Sequence, residues 1–231
     1  MIYDPLVWFN PAYMIDCGIK ARQHFESIGE KLSSDMNKAL GESFAVSVMS
    51  LGVNQLLDMQ LRVQLVDPKD RSPDLRVMHE VPMADTSKFD LKMNYWDVEV
   101  VTLEEHSNVQ VDQFIKDTKL KASKKSYDKD TIILCYIDKD ISDGKLWKDV
   151  SAELQKLKVP NNIFLVGKTH PTKPIYDVAR VNPVFDSIIR FDVMEEAKKK
   201  YDKPEGTLFT GVRDRKTPRE QKAGINPFLE D

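Results

Sequence analysis

The chain is short of cysteine. Cys17 and Cys135 are its only two in 231 residues, and no Cys-x-x-Cys occurs. Neither a disulfide framework nor a thiolate zinc site is therefore expected, and a reducing, intracellular setting is. Glycine is scarce too, at nine. Neither a glycine-rich phosphate loop nor Gly-x-Ser-x-Gly is present, which argues against a nucleotide cofactor. His24, His79, His106 and His170 are scattered, without the close pairs of a zinc protease or deaminase. Apolar runs are short, and the first twenty residues lack a basic start followed by a continuous apolar stretch. The expectation is a soluble cytoplasmic protein with no membrane contact. No charge of one sign dominates: 34 basic against 37 acidic residues leave −3, which excludes a uniformly basic nucleic-acid coat and makes any polyanion contact local.

What is present is 41% hydrophobic content, enough for a substantial core. No repeat or low-complexity tract divides the chain. Residues 1–202 are expected to form one α/β domain, and residues 203–231 a polar, basic tail that is disordered or folds on a partner. The opening Leu6 to Phe9 reads as a packing arm ended by Asn10-Pro11. Phe25, Ile28, Leu32, Met36 and Leu40 recur at helical steps, and a second, largely buried helix follows from Gly41-Glu42 through Leu57. The period then turns to alternation. Strands are expected at 61–65, from Leu75 and over 95–103, a helix over 110–123, and an almost wholly apolar strand over 131–137. A helix over 145–157, strands at 163–166, 176–181 and 187–191, and a short helix over 195–200 complete the reading.

The acidic residues fall at telling places. Glu42 lies on the second helix, Asp74 at the start of the second strand, and Asp97 and Glu99 on one face of the third. Magnesium or manganese takes oxygen ligands and keeps several waters, so two or three carboxylates from adjacent strands suffice to hold it. Such an ion polarises a phosphodiester and lowers the pKa of an attacking water. Asp74, Glu99, Asp97 and Glu42 are therefore the candidate metal ligands, with Mg2+ or Mn2+ as cofactor.

Pro73-Asp74, followed by the segment Trp96-Asp97-Val98-Glu99-Val100-Val101-Thr102, resembles the restriction-endonuclease-like nucleases. Their signature is Pro-Asp, a variable gap, then Asp or Glu, one residue, and Lys. Gly41-Glu42 resembles the acidic residue that some members carry on their first helix. The likeness spans roughly residues 41–137. It implies an α-β-β-β-α-β core at about 41–138, with a mixed central sheet flanked by helices and a helical N-terminal extension. Val101 stands where the family has its lysine, and a valine neither positions nor activates water. Two arrangements restore the chemistry. In the preferred one the register shifts by two, so that Asp97 is the second carboxylate and Glu99 replaces the lysine. In the other, Lys119 or Lys121 reaches back from the following helix.

The expected function is metal-dependent hydrolysis of phosphodiester bonds in DNA, with Asp74, Glu99, Asp97 and Lys119 or Lys121 as the catalytic set. The alternative is a module of the same fold that has lost catalysis and serves nucleic-acid binding or assembly. Lys116, Lys124, Lys125, Arg213 and Arg215 are the candidate phosphate contacts, giving salt-dependent, sequence-independent binding. A homodimer follows from the resemblance, since cutting both strands calls for two active sites.

Overall fold

The computed structural model describes residues 7–57, 59, 61–66, 74–81, 92–104, 111–123, 130–141, 144–198 and 207–208. In chain order the elements are β1 (Val7–Trp8), α1 (Pro11–Ser27), α2 (Ser34–Leu57), β2 (Leu61–Leu65), β3 (Leu75–Val81) and β4 (Lys92–Glu104). There follow α3 (Val111–Ala122), β5 (Ile132–Asp140), α4 (Lys145–Gln155), β6 (Ile163–Lys168), β7 (Ile175–Asn182), β8 (Ile189–Asp192), α5 (Val193–Lys198) and β9 (Thr207–Leu208).

Among the described residues, strands β2 to β8 form one seven-stranded sheet in sequence order. The first three are antiparallel, β4, β5 and β6 run parallel, and β7 and β8 return antiparallel. Parallel neighbours need a crossover, and α3 and α4 supply the two. The protein is thus mixed α/β, a mixed sheet flanked by helices. No helix among the described residues is long and apolar enough to cross a membrane.

Side-chain alternation on β5 divides the interior in two. Ile132, Leu134 and Tyr136 join the core under α1 and α2, while Ile133, Cys135 and Ile137 join the core under α3 and α4. A strand covered on both faces must be apolar throughout, which is why this stretch reads as an unbroken hydrophobic run. Cys135 belongs to that packing. Its sulfur lies 3.3 Å from the Thr118 hydroxyl on α3, and burial pushes the thiol up to about 12, so it is a small core residue and not a nucleophile.

α2 is apolar nearly all round because it lies between α1 and the sheet. Ala45, Val46, Val48, Met49 and Leu51 are completely buried. The helical stripe expected to run from Phe25 to Leu40 is interrupted instead. Gly29 adopts φ +70°, its N–H bonds Glu26 O, and α1 ends. Ser33 Oγ then accepts from Met36 N and starts α2. Ile28 and Met36 consequently stand 51% and 41% exposed. At the other end of α1, Asn10 Oδ1 accepts from Ala12 N with Pro11 in the first turn, so the dipeptide read as a turn is a helix cap.

Trp8 and Phe9 of the opening segment are laid on the core, and Leu6 lies outside the described residues. Trp8 is buried, and Phe9 exchanges two 2.8 Å backbone hydrogen bonds with Val63 on β2. Thr207 and Leu208, within the stretch expected to be tail, pair with β1.

Gly52 fixes how close α2 comes to β7, since a Cβ there would lie 2.8 Å from Val178 Cβ. That neighbour is the stem of a β-branched core residue and has little room to yield. We expect Gly52→Ala to lower stability by about 2 kcal/mol through overpacking, read as a lower urea midpoint. Gly41→Ala, which meets nothing within 4 Å, should leave the midpoint unchanged or raise it.

Candidate functional site

The β3–β4 ladder ends at Leu75 paired with Val98. One step beyond, Asp74 turns its side chain onto β4, and its Oδ2 accepts from Val100 N at 2.8 Å. Glu99 projects from β4 into the side covered by α3, in register with Ile133 of the α3/α4 core. It is 4% exposed, against 21% for Asp74. Two carboxylates so sheltered need a countercharge.

Lys121 provides it. The inward stripe of α3 holds Phe114, Thr118 and Ala122 buried, and Lys121, seven residues after Phe114, lies on the same side of the helix. Its Nζ lies 3.1 Å from Asp74 Oδ2, 3.1 Å from Glu99 Oε2 and 2.8 Å from Val100 O. Three oxygens, two from β4 and one from the residue leading into β3, thus surround one cation. Burial alone would lower the lysine's pKa. The Asp74 and Glu99 charges and hydrogen bonds outweigh that and hold it above its ordinary value.

Glu42, in the third turn of α2, adds a further acid. Lys38 Nζ stands 3.6 Å from it across one helical turn, and only 14% of its side chain is exposed. Burial, then the nearby charge of Asp74, push its carboxyl up to about 7, with Lys38 and Lys121 opposing.

Of the residues expected in the site, Asp74, Glu99 and Lys121 come together and Glu42 lies within their field. Asp97 is directed elsewhere. It is the register partner of Arg76, whose Nε lies 3.2 Å from its Oδ1 and whose Nη1 reaches Gln64 Oε1 at 3.3 Å. That polar row crosses β2, β3 and β4 and ties Asp97 to an arginine, so the register-shifted arrangement lacks the geometry that the helix lysine has. Lys119 and Lys116 are exposed on α3. Pro73, Lys124, Lys125, Arg213 and Arg215 lie outside the described residues. Sequence reasoning missed the Val100 carbonyl, because main-chain oxygens carry no residue-type signal.

Among the described residues, no group of three or more His, Cys, Asp and Glu side chains is placed to hold a metal ion. The set here is two carboxylates and one carbonyl, all hard oxygens, and that donor chemistry suits magnesium or manganese with its remaining positions filled by water. No protein-family model matches the chain, and no curated protein or solved structure matches it.

Two outcomes follow. Lys121→Met leaves Asp74 and Glu99 sharing a sheltered space without a countercharge, and should cost about 2 kcal/mol of stability, read by chemical denaturation at pH 7. For Glu42, the unfolded carboxyl ionises near 4.5 and the folded one near 7. The folded state therefore holds the extra proton between these values, and stability should fall as pH rises through that window and level off above it. Denaturant midpoints from pH 4.5 to 8 should show this slope in the wild type and lose it in Glu42→Gln.

Proposed function

We propose that the chain is a metal-dependent nuclease of the restriction-endonuclease-like class, hydrolysing phosphodiester bonds in DNA. One observation carries the reading: Asp74 Oδ2, Glu99 Oε2 and Val100 O converge on a single cation, and that cation is a lysine from the following helix. The element order α2, β2, β3, β4, α3, β5, with three antiparallel strands followed by a parallel one, supports it. Asp74, Glu99 and the Val100 carbonyl would hold Mg2+ or Mn2+. When bound, the ion polarises the scissile phosphodiester and offsets charge developing on the leaving oxygen. Lys121 contributes the positive group that Val101 cannot, offering N–H donors to a phosphate oxygen or to the attacking water. Glu42, close to neutrality, is suited to accept a proton from that water. Lys116 and Lys119, exposed on α3, give salt-dependent contacts to the backbone.

A second reading has its own support. The Lys121 ammonium already satisfies both carboxylates, and such a cluster is complete without a metal. This describes a module that keeps the fold as a nucleic-acid-binding or assembly subunit.

Incubation with plasmid and single-stranded DNA in Mn2+ tests the first reading. Cleavage should fall about 100-fold or more in Asp74→Ala and in Glu99→Ala, and cleavage that survives both substitutions removes the proposal. Thermal melts decide between the readings. An ion that binds only the folded state raises the melting temperature as its concentration rises, so a Mn2+-dependent rise lost in Asp74→Ala supports the nuclease, and no rise supports the inert module.

A further inference from the structure

A cavity of about 150 Å³ lies on the α1/α2 side of the sheet, at the carboxyl end of β5. Its polar floor is Tyr136 and Tyr176, hydrogen-bonded to each other, with the Tyr136 hydroxyl donating to Asp138 Oδ1 at 3.1 Å. The walls are apolar. Phe44 stands edge-on to Tyr176 with ring centroids 5.6 Å apart, and Ile19 and Leu40 face it. Gly18 and Gly41 line the space without side chains, and a Cβ on Gly41 would meet nothing within 4 Å. Asp138 extends from the Tyr136 hydroxyl to solvent, and Arg22 is exposed on α1.

Each feature narrows the ligand. A cavity of this volume takes one six-membered ring. Apolar and aromatic walls favour a flat face, while a carboxylate and phenols at one end call for hydrogen-bonding groups on the ring edge. Burial pushes both phenols up, Tyr176 to about 12, so they remain neutral at pH 7. Among the described residues the Asp138 carboxylate accepts one bond, from Tyr136 through Oδ1, and a carboxylate has further acceptor capacity for an amino group. Arg22 supplies a cation for a phosphate at the mouth. Gly41 on the cavity wall directly precedes Glu42, which feels the charges of Asp74 and Lys121.

We propose that this cavity receives one unstacked pyrimidine of a nucleic-acid strand, with cytosine preferred because its exocyclic amino group donates to Asp138. The choice of a nucleic-acid ligand rests on the nuclease reading, and the substrate it implies is single-stranded or locally unpaired. A base enters such a site only when it is out of the stack.

Titration of the full chain with cytidine, thymidine and adenosine monophosphates, followed by calorimetry, tests this. Cytidine monophosphate should bind about tenfold tighter than thymidine monophosphate. Asp138→Asn should abolish that preference, and Gly41→Leu should abolish binding. Gly41→Leu adds a good helix former in open space, so its melting temperature should match or exceed wild type and separate pocket filling from unfolding. Asp74→Ala should keep full cytidine monophosphate binding while losing cleavage. Nucleotide binding without cleavage in the wild type therefore supports the pocket while removing the nuclease. Failure of cytidine monophosphate to saturate the protein, undiminished binding to a folded Gly41→Leu, or tighter binding of L-leucinamide than of any nucleotide each overturns the pocket.

Discussion

Two carboxylates, one on β4 and almost wholly out of water and the other just ahead of β3, are held side by side by a positive charge between them. In this protein that charge arrives from outside the sheet, on the inward face of α3, and the requirement reaches well beyond the three residues concerned. It fixes the rotation of α3 over β4 and β5, because the stripe that buries Phe114 and Thr118 must also present Lys121 to the strand edge. It also explains why the ladder between β3 and β4 stops where it does. A further strand pair would occupy the Val100 N–H and C=O, which Asp74 and Lys121 take instead.

The two faces of the sheet divide the work. Under α2, packing is close and set by small residues, with Gly52 lying against β7 and a run of fully buried aliphatics on either side of the helix. Under α3 the packing ends in charge. The apolar contact of Phe114 with the core and the ionic contact of Lys121 with Asp74 lie two helical turns apart on one stripe. A helix anchored by hydrophobic burial at one end can hold an ammonium at the other without losing side-chain order, since the backbone is already fixed.

Most of this was legible where a period was regular. The alternation of β4 and the unbroken apolar run of β5 follow from one strand having a covered and a mixed face and the other being covered on both. Asp74 and Glu99 were legible because a dipeptide and a short strand motif place acids in hydrophobic surroundings. The α1–α2 boundary was not. Phe25, Ile28, Leu32 and Met36 keep helical spacing across a turn that a single left-handed glycine imposes, and spacing alone does not report φ. Asp97 looked equivalent to Glu99 because both sit on alternate positions of one strand. What separates them is the partner, a cross-strand arginine for one and a helix lysine for the other, and neither strand register nor helix rotation is visible in spacing. The sequence offers Lys121 without placing it, since the rotation of a helix by a few tens of degrees decides whether such a side chain meets a strand or water.

The bond pair between Phe9 and Val63 bears on how copies of this chain meet one another. Outer strands offer unsatisfied amides that can recruit identical molecules into fibres or precipitate. On the β2 flank, the segment leading into α1 already occupies that row at Val63, and β9 in turn backs that segment. The opposite flank is β8, four residues long and carrying Arg190 and Asp192. One border is clasped and the other is brief and ionic, so edge-to-edge growth is discouraged on both sides by different means.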